Sequence, residues 1–140
     1  MKTNLNCTLM FTAAMLTLGA TAAYSQEYAM TAKIPFAFRA VGSDLPAGSY
    51  KVQRTANAST MELRNVDSGK AVFIPSKGGA LSESKDARPR LIFQCASEQG
   101  CSLAKLWSGT GNGLEFPTPA LTAAQRERQE TIYLDRFKDK

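Results

Sequence analysis

Side chains that could carry out chemistry are scarce in this chain, which has 140 residues and no histidine. The absence of histidine excludes Ser-His-Asp and Cys-His catalysis and removes the commonest ligand of transition metals. Of three cysteines, Cys95 and Cys101 are separated by five small or polar residues. This spacing favours a disulfide across the tip of a β-hairpin over a redox pair, which usually has two residues between its thiols.

The twelve acidic residues offer the remaining route to catalysis, because a carboxylate-based hydrolase needs two carboxyl groups that face each other. Glu62, Asp67 and Glu115 are candidates, but nearly all acidic side chains are expected in turns, at outward strand positions or on a terminal helix. A solvated surface explains this distribution better than a catalytic cleft does. We therefore expect no enzymatic activity, no metal site and no cofactor, and a hydrolase is the weakest alternative.

Residues 1–25 have the three parts of a cleavable secretory signal peptide. Lys2 is the only charged residue in this segment, and residues 7–23 form a run of apolar and small side chains. The sequence Ala-Tyr-Ser before Gln26 places small residues at the minus-three and minus-one positions of a cleavage site. The alternative is a retained membrane anchor, since the apolar run has about the minimum length for spanning.

Cleavage would leave one small domain with no stable membrane span, located in the periplasm or secreted. It would also remove Cys7, so that Cys95 and Cys101 remain as an even pair in an oxidising compartment. Without Lys2 the 17 basic residues become 16, against 12 acidic residues, and both signs are interspersed. Since no concentrated basic patch is present, we expect no nucleic-acid partner.

Alternating apolar and polar side chains predict about six short β-strands. The predicted strands span residues 30–39, 49–55, 61–65, 71–74, 90–96 and 101–107. Pro35 cannot donate a hydrogen bond, so the first strand is expected at a sheet edge or with a bulge. Six strands at a spacing of roughly ten residues predict a mainly β fold over residues 26–117, either a small antiparallel β-sandwich or a barrel.

A change of pattern at residue 118 predicts a helix at the end of the chain. Thr118 can cap a helix, and residues 121–137 contain no glycine or proline and are rich in alanine, glutamine, arginine and glutamate. Arg126 and Glu130 have the spacing of a favourable i,i+4 ion pair. We therefore expect residues 118–140 to form a charged C-terminal helix beside the β domain.

Several aromatic residues fall at inward positions of the predicted strands, among them Phe36, Phe93 and Trp107. Packing in the core explains these rings most simply. The same three rings could instead line an apolar cavity inside a small barrel, which would make the protein a small-molecule carrier. Periodicity alone does not separate these two interpretations.

Three segments together resemble a group of small exported proteins of soil acidobacteria. They are Ile-Pro-Phe-Ala-Phe at 34–38, Leu-Pro-Ala-Gly-Ser-Tyr-Lys-Val at 45–52 and Leu-Ala-Lys-Leu-Trp at 103–107. The sequence Leu-Glu-Phe-Pro at 114–117 departs slightly from the Glu-Leu-Pro that often precedes the last helix in that group. The resemblance implies export and a common β fold, and it supplies no functional residues.

These observations lead to one principal hypothesis and two alternatives. The principal one is an exported, non-enzymatic envelope or secreted protein that acts as a binding or structural module. Its partner would be an envelope protein or a glycan. The alternatives are the small-molecule carrier and the carboxylate-based hydrolase.

Overall fold

The computed structural model describes residues 29–57, 59–78, 85–109, 113–121 and 128–137. Within these ranges the chain forms eleven β-strands and no helix. The strands are β1 Met30–Ile34, β2 Phe38–Ala40, β3 Ser43–Leu45, β4 Gly48–Arg54, β5 Thr60–Asn65, β6 Ala71–Pro75, β7 Arg90–Ala96, β8 Gly100–Trp107, β9 Gly113–Glu115, β10 Arg128–Tyr133 and β11 Asp135–Arg136. The predicted signal peptide lies outside the described residues.

The strands form two sheets, and neither sheet closes on itself. The first sheet has the order β11-β1-β4-β5-β6 and is antiparallel throughout. The second has the order β10-β7-β8-β2-β3, with β9 also paired to β8, and its β2–β8 pairing is parallel. Both sheets contribute buried side chains to one core, so the arrangement is that of a sandwich and not of a barrel.

The first predicted strand is a single run of alternating residues, but the structure divides it between the two sheets. β1 belongs to the first sheet and β2 to the second, and Pro35 lies at the crossing. Proline has no N–H to donate, so a position between sheets costs no ladder hydrogen bond. The inward alternation is confirmed, since Ala32, Ile34 and Phe38 are all buried in the core.

The predicted C-terminal helix is wrong wherever the structure describes that segment. Arg128–Tyr133 forms β10 on the edge of the second sheet, and Asp135–Arg136 forms β11 on the edge of the first. Arg128 forms an ion pair with Glu130, with 2.8 Å between Nε and Oε1, because residues two apart in a strand lie on the same face. Six consecutive residue pairs with β7 outweigh the local helix preference of the sequence.

Four aromatic rings connect the two sheets across the core. The centroid of Phe93 on β7 lies 5.2 Å from Phe36 and 5.3 Å from Phe38. Phe38 in turn lies 5.4 Å from Tyr50 on β4, in the first sheet. All three contacts are edge-to-face, a geometry that adds to the hydrophobic gain from burying the rings.

Replacing the central ring of this group should be strongly destabilising. Phe93 is fully buried, so Phe93→Ala should lower the free energy of unfolding by about 3–5 kcal/mol, because it leaves a cavity between the sheets. Phe73→Ala is the matched control, since that ring is 58% exposed and its loss should change stability by less than about 0.5 kcal/mol. Urea unfolding of both variants measures the difference, and equal effects would contradict the assigned core.

Candidate ligand groove on the second sheet

The two cysteines face each other next to the turn of the β7–β8 hairpin. Cys95 and Cys101 are directly paired in the strand register, with Cα atoms 3.9 Å apart, and their Sγ atoms are at disulfide distance. The turn between them is Ser97–Gln99, and Gly100 after it has a φ of 69°, which glycine adopts readily. Chain-entropy arguments give so short a loop a stabilisation of about 2 kcal/mol.

The three rings considered for a ligand cavity do not form one lining. Phe36 and Phe93 pack against each other within the core. Trp107 follows Leu106, which points into the core, so Trp107 lies on the opposite face of β8. There the guanidinium of Arg90 stands 5.5 Å from the centre of its indole.

The three acidic residues considered for catalysis lie apart. Glu62 is on the first sheet, where it accepts hydrogen bonds from Gln53 and Arg64, both at 2.9 Å. Asp67 lies in the turn between β5 and β6, and Glu115 lies on β9 in the second sheet. Among the described residues, no three side chains of metal-binding type come together either.

The outer face of the second sheet, the side turned away from the core, carries several polar side chains. Gln129 on β10 is directly opposite Gln94 on β7. One row along the strands, Ile92 on β7 is opposite Lys105 on β8, and Lys105 is opposite Glu115 on β9. Because the rows are fixed by strand pairing, these side chains are held on a rigid surface.

A β-bulge shapes this face. Ile92 pairs with Lys105 and Phe93 pairs with Leu103, so Ala104 is the extra residue on β8. Its carbonyl oxygen accepts a hydrogen bond of 2.8 Å from the N–H of Phe116, beyond β9. Bulges bend a strand and redirect its side chains, and here the bulge also anchors the segment that follows β9.

The result is a groove of about 460 Å³ on the outer face of the second sheet, which we call the polar groove. It crosses from β10 to β9, which is three strand spacings or about 14 Å. The polar side chains that line it are Lys77, Gln94, Lys105, Glu115, Thr118 and Gln129, and Arg128 borders it at the β10 edge. A second depression lies beside the disulfide and also includes Arg128 in its lining.

Most polar groups of the groove are not committed to partners within the protein. Arg128 forms an ion pair with Glu130, but no ion pair within 4 Å joins Lys77, Lys105 or Glu115 to another described residue. The side-chain amides of Gln94 and Gln129 likewise make no hydrogen bond within the described part of the chain. The groove therefore offers donors and acceptors to a ligand.

A tight charged cluster holds the segment before β7 on the same face. Arg88 donates two hydrogen bonds of 3.1 Å to the carboxylate of Asp86, and its guanidinium lies 4.0 Å from the centre of the Tyr133 ring. The hydroxyl of Tyr133 lies 3.2 Å from the same carboxylate, and Arg90 donates to the backbone oxygen of Asp86 at 2.7 Å. Hydrogen bonding from Arg88 lowers the pKa of Asp86 from its usual 3.8 to about 2.

Reasoning from the sequence alone named Glu115, as a candidate catalytic acid, and missed the other polar residues of the groove. The alternation of β7 and β8 already places Gln94 and Lys105 at outward positions, and that signal was available. Gln129 fell on the predicted helix, and Lys77 followed a predicted strand as part of a polar loop. Neither the bulge nor the pairing of β10 is visible in the periodicity.

Comparison of the chain with protein-family models, curated proteins and solved structures found no match. In the described ranges the structure also contains no helix long and apolar enough to cross a membrane.

The Asp86 cluster makes the stability of the protein depend on pH. Because its pKa is lowered in the folded state, Asp86 contributes stability above pH 4 or so, and this contribution is lost as pH falls towards 2. The difference in melting temperature between the wild type and Asp86→Asn should therefore be small, greatest at neutral pH, and should shrink below pH 4. Asp44→Asn, in an exposed pair with Arg39, is the control and should have a smaller effect. A difference in melting temperature between the wild type and Asp86→Asn that grows as pH falls would contradict this assignment.

Proposed function

We propose that the protein is an exported, non-enzymatic binding module and that it binds a glycan in the polar groove. The observation that carries the proposal is the groove itself, a concave polar surface whose amide, hydroxyl and ammonium groups lack partners in the described chain. Without a ligand these groups bind water. The hydroxyl groups of a glycan can replace that water with hydrogen bonds of their own.

The two glutamines suit the chemistry of a sugar. Each side-chain amide has a carbonyl acceptor and an NH₂ donor, so Gln94 and Gln129 can bind hydroxyl groups that act both as donors and as acceptors. They are cross-strand neighbours, so both amides serve the same stretch of ligand. Thr118 adds a hydroxyl at the same groove.

The polar character of the surface favours a glycan over a protein partner. The centre of a stable protein interface is apolar and enriched in aromatic residues. The large apolar side chains that are exposed here, Val41, Val66, Phe73 and Tyr133, are scattered over different strands and turns and form no single patch around the groove. A glycan needs no such apolar centre.

The number of carboxylates in the groove supports a binding role over hydrolysis. Glycoside hydrolysis normally requires two carboxyl groups on either side of the scissile bond. Glu115 is the only carboxylate among the described residues that line the groove. A single carboxylate can accept hydrogen bonds from sugar hydroxyls and thereby contribute to binding.

Export is proposed from the N-terminal pattern and from the cysteine pair. When the full chain is expressed in a Gram-negative host, the protein recovered from the periplasm should begin at or near Gln26. Mass spectrometry under non-reducing conditions should show Cys95 linked to Cys101, because oxidising compartments preserve such bonds. An intact Met1 in the membrane fraction would mean a retained anchor, and free thiols in the periplasmic protein would refute the disulfide.

Glycan binding is tested by affinity electrophoresis of the exported protein in gels that contain neutral or acidic polysaccharides. At least one polysaccharide should retard the protein, and Gln94→Ala should reduce the retardation several-fold, since it removes hydrogen bonds in the groove that are worth about 1 kcal/mol each.

Gln53→Ala is the matched control, because Gln53 occupies the outer face of the other sheet. The electrophoretic retardation of the Gln53→Ala variant should equal that of the wild type. If no polysaccharide retards the wild type, or if both variants lose retardation equally, the groove is not a glycan site.

A further inference from the structure

We propose that the polar groove is selective for acidic polysaccharides, whose carboxylates bind Lys77 and Lys105 while their hydroxyls bind the glutamines. This inference rests on the proposed function and adds the chemical class of the ligand. It follows from the charges of the groove, from their position on the sheet, and from the kinds of side chain that the lining lacks.

The charges of the groove are unbalanced. Two ammonium groups, those of Lys77 and Lys105, line it together with one carboxylate, that of Glu115, while Arg128 borders it from β10 with its side chain on the opposite strand face, beside Cys95. Arg128 shares its charge with Glu130, whereas the two lysines have no ion-pair partner among the described residues. Ammonium groups that lack internal partners in a concave surface raise the local concentration of anions.

The positions of the two lysines suit an extended polysaccharide ligand. Lys105 is on β8, near the middle of the groove, and Gln94 lies on the neighbouring strand β7. Lys77 is at the far side, where its backbone N–H donates a 2.8 Å hydrogen bond to the carbonyl of Glu115. A polymer crossing about 14 Å from β10 to β9 would meet the amides first and the ammonium groups next.

Other polyanions fit this lining less well. Single-stranded nucleic acids are held by exposed aromatic rings on which bases stack, and Phe116, the only ring among the described residues of the lining, is fully buried. Anionic membranes are bound by surfaces that also insert apolar side chains, and the exposed lining here is mainly polar. An acidic glycan requires only the hydrogen-bonding groups and cations that the groove contains.

The test measures binding of the full exported chain to polygalacturonate and to the same polymer with its carboxylates methyl-esterified. The wild type should bind the acidic form more tightly, and raising the ionic strength from about 0.1 M to about 1 M should weaken that binding. The double variant Lys77→Gln/Lys105→Gln should bind the acidic form about tenfold more weakly. Its binding to the esterified form should not change.

The matched control is Lys33→Gln/Lys70→Gln, which removes the same net charge at two exposed lysines outside the groove. It should bind as the wild type does. An equal loss in both double variants would overturn the inference, since net charge alone would then explain binding. Equally tight binding of poly-L-glutamate would overturn it too, because the groove would then recognise charge without the sugar.

The result also separates this inference from the proposed function. If both polymers bind equally and Gln94→Ala weakens both, the groove is a glycan site without acid selectivity, and only the further inference fails. If neither polymer binds and no other polysaccharide retards the protein, the proposed function fails and the inference falls with it.

Discussion

The edge-to-face contacts of Phe36, Phe38, Tyr50 and Phe93 are the constraint on which the rest of the structure depends. They bridge the two sheets, and the chain itself crosses between the sheets next to them. Tyr50 can bury its ring in this group because its hydroxyl donates a 2.6 Å hydrogen bond to the carbonyl of Pro46. The crossing at Pro35 and the burial of these rings therefore fix how one sheet lies on the other.

The chain crosses between the sheets again at its C-terminal end. β10 completes the second sheet and β11 the first, with the buried Leu134 between them. Because β11 pairs with β1, the second crossing enters the first sheet beside the strand from which the first crossing leaves it. The second crossing bears on the proposed glycan binding, since β10 supplies Gln129 to the polar groove and would be absent from the sheet if this segment were helical.

Particular elements show why much of the fold was predictable and the groove was not. β4 to β8 were predicted to within about a residue of their bounds, because each alternates between the core and the surface and ends at a turn signal. β10 was missed because its residues are good helix formers in isolation, and only pairing with β7 makes them a strand. The bulge at Ala104 depends on the register of two strands, which no local pattern of one strand contains.

The structure separates stability from recognition. The core is apolar and filled by aromatic rings, so the proposed ligand contacts lie on the outer face of the second sheet, where a polar side chain can be changed with little effect on packing. Exposed ion pairs and hydrogen bonds contribute individually about 1 kcal/mol or less, so one sugar unit in the groove would be held weakly. A polymer presents many equivalent units to the same groove and rebinds after each release, which raises the effective affinity without any new contact. A shallow polar groove on a rigid sheet is therefore better suited to a repeating polysaccharide than to a small ligand, which would need enclosure to bind tightly.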